Sequence, residues 1–103
     1  MNVKINAIGF TASEPLKNYI NGKLGKMDRY NDRILSIEVF LKLMKDDNLE
    51  DKFIDVKIDV KGGPVYAEKN GTTFEEAIDI IADVVKRKLI KLKEISTDKN
   101  KGK

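Results

Sequence analysis

The sequence predicts an α+β domain: a four-stranded mixed sheet in the order β-α-β-β-β-α, with both helices packed on one face. Three observations carry this. Residues 3–9, 34–44, 53–60 and 64–69 alternate or concentrate apolar residues as half-buried strands do, whereas 13–30 and 73–93 repeat theirs at helical spacing. Turn signals alone separate the last three strands, so these form an antiparallel meander, and only the first connection contains a helix. Two amphipathic helices need an apolar surface, and one sheet with both on the same side supplies it most simply. The crossover from the first strand to the second is then parallel and right-handed.

The first strand places Val3, Ile5 and Ala7 on one face, between Lys4 and Asn6, and ends near Gly9. Ser13 is placed to cap the first helix, and Pro15 fits its first turn, where a missing N–H costs nothing. Leu16, Ile20, Leu24 and Met27 form its core stripe to about Tyr30. Gly22 and Gly25 cost about 1 kcal/mol each against Ala, and would repay it by close packing or by close approach of a partner's backbone. Tyr19 and Tyr30 border the stripe, where a ring can seal the core edge or stack on a base.

In the second strand Leu35, Ile37, Val39, Leu41 and Leu43 are expected inward, and residues 45–51 form a polar turn. The third strand turns Ile54, Val56, Ile58 and Val60 inward. Gly62-Gly63 makes a tight turn, Pro64 begins a short fourth strand, and Asn70-Gly71 turns into the second helix. Glu38, Asp55, Asp59 and Glu68 mark the opposite sheet face as acidic. Thr73 and Glu76 fit a reciprocal capping box, and Phe74, Ala77, Ile78, Ile81, Val85, Leu89 and Leu92 make the second helix's core stripe.

With 103 residues, 41% of them hydrophobic, the chain suits one domain over residues 1–95, followed by a disordered basic tail at 96–103 that has no apolar residue to dock. Neither Cys nor His occurs, which removes disulfides, thiolate nucleophiles, imidazole catalysis and the usual zinc sites. No phosphate-binding glycine loop, serine elbow or calcium loop is present. A non-enzymatic protein without metal, cofactor or small-molecule substrate is expected. No apolar run reaches the roughly 18 residues of a membrane span, so a cytoplasmic protein without membrane partners is expected.

The net charge of +3 conceals a strong partition: residues 34–83 carry −6 and residues 84–103 carry +6. Such asymmetry orients a molecule towards a polyanion even when its net charge is modest. On the second helix acids fill the first half, and Lys86, Arg87, Lys88, Lys91 and Lys93 fill the second. Favourable placement in the helix dipole is worth only about 0.3–1 kcal/mol per charge, which explains a bias rather than five bases in eight residues. Lys23, Lys26, Arg29 and Arg33 follow at spacings that share a flank on or beyond the first helix. The outward strand positions hold Phe40 and Tyr66 among acids, so base stacking across the sheet is excluded as the main mode. Basic helix flanks that recognise a phosphate backbone remain.

Ser13-Glu14-Pro15-Leu16, Lys23 with Lys26, Tyr30-Asn31-Asp32-Arg33-Ile34, Gly62-Gly63, and Ala77-Ile78-Asp79 leading into Arg87, Leu89, Lys91 and Lys93 resemble the short ribosome hibernation-promoting factors and the related ribosome-associated translation inhibitor. The likeness covers roughly residues 3–93. It implies a module bound in the decoding channel of the small ribosomal subunit, which blocks tRNA and mRNA and inhibits translation in resting cells. It implies rRNA contacts through Lys23, Lys26, Arg29, Arg33, Lys86, Arg87, Lys88, Lys91 and Lys93. The chain departs from the family pattern at Lys88, Leu92 and Thr73, where Gln, His and Asp are common. The dimerisation domain of long members is not expected in this chain. From a different class, the acidic sheet face suggests a protein–protein interaction domain.

Overall fold

A computed structural model describes residues 2–44 and 51–101, the side chains of 95–101 excepted. The elements are β1 (Val3–Ile8), α1 (Glu14–Leu24), β2 (Ile34–Leu43), β3 (Lys52–Val60), β4 (Val65–Gly71) and α2 (Phe74–Lys101), with a 3-10 turn (Met27–Arg29) after α1. Strand order is β1-β2-β3-β4, with β1 parallel to β2 and the other pairs antiparallel. The mixed sheet and element order are those expected from the periodicities.

The core lies between the sheet and the two helices. β2 and β3 contribute Ile37, Val39, Leu41, Ile54, Val56 and Ile58; α1 contributes Ile20 and Leu24; and α2 contributes Ala77, Ile78, Ile81, Val85 and Leu89. Burial of each larger aliphatic side chain is worth about 1.5–3 kcal/mol before entropy is counted, so this layer fixes how the helices sit. Val3, Ile5 and Ala7 pack against it from the edge. The Phe10 and Phe74 rings stack at 5.5 Å and fasten the segment after β1 to the start of α2.

Both helix starts are capped as their residues suggest. Ser13 Oγ accepts from the Leu16 N–H at 3.3 Å, and Thr73 Oγ1 from the Glu76 N–H at 3.0 Å. The return half of the expected capping box is replaced: the Glu76 carboxylate accepts from the Thr72 hydroxyl at 2.7 Å. α1 stops short of Tyr30: Gly25 is its C-cap, its N–H closing the last α-helical bond to the Asn21 carbonyl at 2.7 Å, and the chain goes on into the 3-10 turn. Gly22 serves neither packing nor close approach within the molecule, since a Cβ there would meet nothing within 4 Å.

In β2 the inward set begins one residue earlier than simple alternation suggests. A bulge between Ile34 and Ser36 buries Ile34 and leaves Leu35 75% exposed. Leu43, at the strand's end, is also exposed. The turn after β3 needs its glycines: Gly62 has φ +88°, and a Cβ on Gly63 would stand 2.8 Å from Val60 Cγ1. β4 continues through Gly71, past the expected turn, with Lys69 paired to Ile54 and so on the helix-facing side of the sheet, yet exposed at its edge. The remainder of the expected turn at 45–51, residues 45–50, lies outside the described residues.

The opposite face of the sheet is not uniformly acidic. Cross-strand register aligns Lys4, Glu38, Lys57 and Tyr66 in one row, and Asn6, Phe40, Asp55 and Glu68 in the next. Lys42 stands in the third row beside Ile8 and Phe53, and Asp59 pairs with Ser36 at the other end, so lysines interrupt the acids and the face is mixed rather than of one sign. α2 carries its helical backbone to Lys101, beyond the last core residue of the stripe at Leu92. Side chains of the expected tail lie outside the described residues.

Candidate nucleic-acid interface

Four of the basic residues, Lys23, Lys86, Lys88 and Lys91, fall into two groups, one on each of two flanks of α2. In the groove between α1 and α2, Lys23 Nζ lies 3.3 Å from Asp79 Oδ1 and 5.5 Å from the centroid of the Tyr19 ring. The Tyr19 hydroxyl donates to the same carboxylate oxygen at 2.6 Å. That hydrogen bond lowers the Asp79 pKa and raises that of Tyr19, with Lys23 adding to the depression at Asp79. One acid on α2 thereby gathers two side chains of α1. Further along, Lys86 Nζ sits 4.8 Å from the Tyr30 ring centroid, a cation–π contact between α2 and the end of the 3-10 turn. Tyr19 and Tyr30 thus pack at the core edge, each with a lysine at its ring.

The second group lies on the other flank of α2. Successive residues turn by about 100° on a helix, so Lys88 points well away from Lys86. Lys88 Nζ donates to the Tyr66 carbonyl on β4 at 2.8 Å. Lys91 lines the cleft beside it, with Pro64 and Leu92. Arg87 pairs with Asp83 at 2.8 Å on the exposed side of the helix, an interaction worth under about 1 kcal/mol.

Lys26, Arg29 and Lys91 are exposed and have no side-chain ion pair among the described residues. Arg33 and Lys93 are exposed at the start of β2 and late in α2. The structure therefore brings Lys23 and Lys86 into the inter-helix groove, and Lys88 with Lys91 to the β4 flank.

One positioning residue was not singled out by charge or periodicity. Asn31 is 2% exposed; its Nδ2 donates to the Leu89 carbonyl at 3.1 Å, and its Oδ1 accepts from the Arg33 N–H at 3.0 Å. It ties the start of β2, where Arg33 stands, to the middle of α2. Its signal in the sequence is its place in the family-like stretch Tyr30-Asn31-Asp32-Arg33-Ile34, which does not say what it binds. The clamp role of Asp79 is likewise unmarked in the sequence, where it stands in the Ala77-Ile78-Asp79 stretch as one of several acids in the first half of α2. The described residues contain no cluster of three or more acidic side chains able to hold a metal ion, and no helix long and apolar enough to cross a membrane.

This architecture, two capped helices over a β-α-β-β-β-α sheet, has counterparts among known proteins. Residues 3–96 match the family described as Sigma 54 modulation protein / S30EA ribosomal protein. The chain belongs to this family. An S30EA relative from Azotobacter vinelandii, the "Ribosome hibernation promoting factor", is 31% identical over 102 residues, covering 99% of this chain and 92% of the relative. The protein of the same name from Escherichia coli K12 is 30% identical over 94 residues, covering 91% and 95%. The N-terminal domain of Thermus thermophilus Protein Y superposes with a TM-score of 0.75 at 25% identity, covering 88% of this chain and 98% of that one. A ribosomal subunit interface protein from Coxiella burnetii shares the fold, with a TM-score of 0.78 at 19% identity and coverage of 91% and 99%.

Proposed function

We propose that this protein is a ribosome hibernation factor that binds the decoding channel of the small ribosomal subunit, excludes tRNA and mRNA, and so inhibits translation in resting cells. The observation that carries the reading is membership of the S30EA family over residues 3–96, with near full-length relatives named as hibernation promoting factors. The chemistry agrees with it. Lys26, Arg29 and Lys91 are exposed cations without internal ion pairs among the described residues, and a phosphate backbone can neutralise them. Lys23, Arg33, Lys86, Arg87, Lys88 and Lys93 extend the rRNA-binding surface from α1 and the start of β2 along α2. The role is stoichiometric occupation rather than catalysis, and the protein works in the cytoplasm. The interrupted charge of the sheet face gives a single-sign protein partner no comparable surface.

Co-sedimentation tests this. The purified protein is expected to pellet with small subunits at moderate salt, to be released as salt rises, and to be displaced by excess tRNA with mRNA. Failure to pellet at low salt overturns the reading. Binding that tRNA and mRNA leave untouched overturns its placement in the decoding channel.

A further inference from the structure

Beside β4 and the second half of α2 lies an open cleft of about 350 Å³. Its lining joins three apolar residues, Pro64, Val65 and Leu92, to one aromatic, Tyr66, and two cations, Lys88 and Lys91, and contains no carboxylate. Val65 is buried on the helix-facing side, whereas Tyr66, 54% exposed, turns to the other face at the sheet edge, so that a ligand reaching both the ring and the α2 lysines wraps around that edge. Lys88 is held by a neutral acceptor, the Tyr66 carbonyl, and makes no ion pair among the described residues. Lys91 has no ion pair among the described residues. Asp55 and Glu68 line the neighbouring depression, which shares Tyr66 and Lys88 with this cleft, and they direct an anion towards the Lys91 side.

Each part of the cleft matches one part of a nucleotide. Unstacked RNA bases are recognised by stacking on aromatic side chains, and an apolar slot next to the ring excludes water from the base. Lys88 and Lys91 are one helical turn apart on neighbouring positions, close enough to meet one phosphate group or two in succession. Resting on the ribosomal-RNA reading above for the source of the nucleotide, we infer that this cleft takes one unstacked nucleotide of an RNA strand. Its base lies against Tyr66 and its phosphate meets Lys88 and Lys91. The cleft adds a base contact to an interface that otherwise reads only the backbone.

The test uses the full chain, nitrogen-15 labelled, titrated separately with short single-stranded oligoadenylate, adenosine monophosphate and inorganic phosphate, while amide resonances are followed. Oligoadenylate is expected to shift residues 64–66 and 88–92 most and to bind more tightly than the mononucleotide, with phosphate alone shifting only the lysine turn. Tyr66→Ala should weaken oligoadenylate binding on the order of tenfold, as loss of one stacked base does, and Tyr66→Phe should restore it. Lys91→Gln, an exposed change that leaves the ring in place, should flatten the salt dependence by about 0.7 in log–log slope.

A mononucleotide that binds as tightly as the oligomer overturns the RNA assignment in favour of a free nucleotide. Shifts absent from the cleft, or a folded Tyr66→Ala with unchanged oligoadenylate affinity, overturn the site itself. In those last cases continued co-sedimentation with ribosomes leaves the hibernation reading standing. Cleft binding of oligoadenylate without co-sedimentation removes the hibernation reading alone.

Discussion

Replacing Asn31 with Ala should destabilise the protein far more than a substitution outside the apolar stripes ordinarily does. Asn31 is 2% exposed and uses both ends of its amide, donating to Leu89 on α2 and accepting from the Arg33 N–H at the start of β2. An unsatisfied buried polar group costs about 1–3 kcal/mol. The Leu89 carbonyl lies within α2 and can keep its intrahelical partner, so its loss belongs at the bottom of that range. The Arg33 N–H is only partly buried and belongs there too. With the small void left by the amide, the sum is about 2–3 kcal/mol.

For a domain of this size such a loss lowers Tm by on the order of 10 °C or more. Far-UV circular dichroism melts of the wild type and variant, in the same buffer, measure it. Asn31→Asp is the informative companion, because it keeps the acceptor for Arg33 but sets a carboxylate against the Leu89 carbonyl; it should be at least as destabilising as Ala. Melting of Asn31→Ala within a degree or two of the wild type would refute the reasoning, and would mean that water replaces both bonds without loss.

Further outcomes follow from the charge layout. Reversal of Arg87 and Lys91 to Glu should abolish ribosome co-sedimentation, while reversal of Asp55 and Asp59 to Lys should leave it nearly intact; the opposite pattern would move the working surface to the sheet. The first pair costs little stability, about 0.4–1 kcal/mol for losing the Arg87–Asp83 pair and placing a like charge beside Asp83, which a melt can check. Removal of residues 96–103 should shift Tm by only a degree or so and weaken ribosome affinity slightly, since that segment has no apolar side chain to dock; a drop of many degrees would show that it packs. The clamp at Asp79 has a defined pH window. Its depressed pKa gives stability present above the ordinary carboxylate value of 3.8 and lost as pH falls through the lower folded value. The raised Tyr19 pKa gives stability present below 10.0 and lost as pH rises through the higher folded value. Tyr19→Phe should therefore flatten both limbs of the stability–pH curve, and an unchanged curve would show that the hydroxyl contributes nothing.

Periodicity made the sheet legible because an apolar face dictates its own register: Ile54, Val56, Ile58 and Val60 could face only the helices. It failed at Leu35, where a bulge adds a residue that alternation cannot see. Gly25 carried a stop signal for α1, but propensity alone could not separate a tolerated glycine from a terminating one. The basic residues were legible as a set and not as a layout. A run such as Lys86, Arg87 and Lys88 looks continuous along the chain, while the helical turn distributes it between the α1 groove and the β4 flank. Asn31 and Asp79 stand in motifs the sequence shows, but their roles were not legible there because they come from partners 58 and 60 residues away.

The placement of Lys69 bears on how the protein behaves when it is concentrated. β4 is an outer strand, and its backbone edge, where Lys88 already engages the Tyr66 carbonyl, could elsewhere pair with a strand from a second molecule. Lys69 shares the side of the sheet that carries Ile54, so a strand added there would have to bring its own apolar side chains against an ammonium group. Burial of that charge without a partner is costly, and avoidance by the lysine stem would leave the new strand's apolar side exposed. One residue thus makes edge-to-edge growth at β4 unfavourable while costing the native core nothing, and the sheet can remain open without inviting aggregation there.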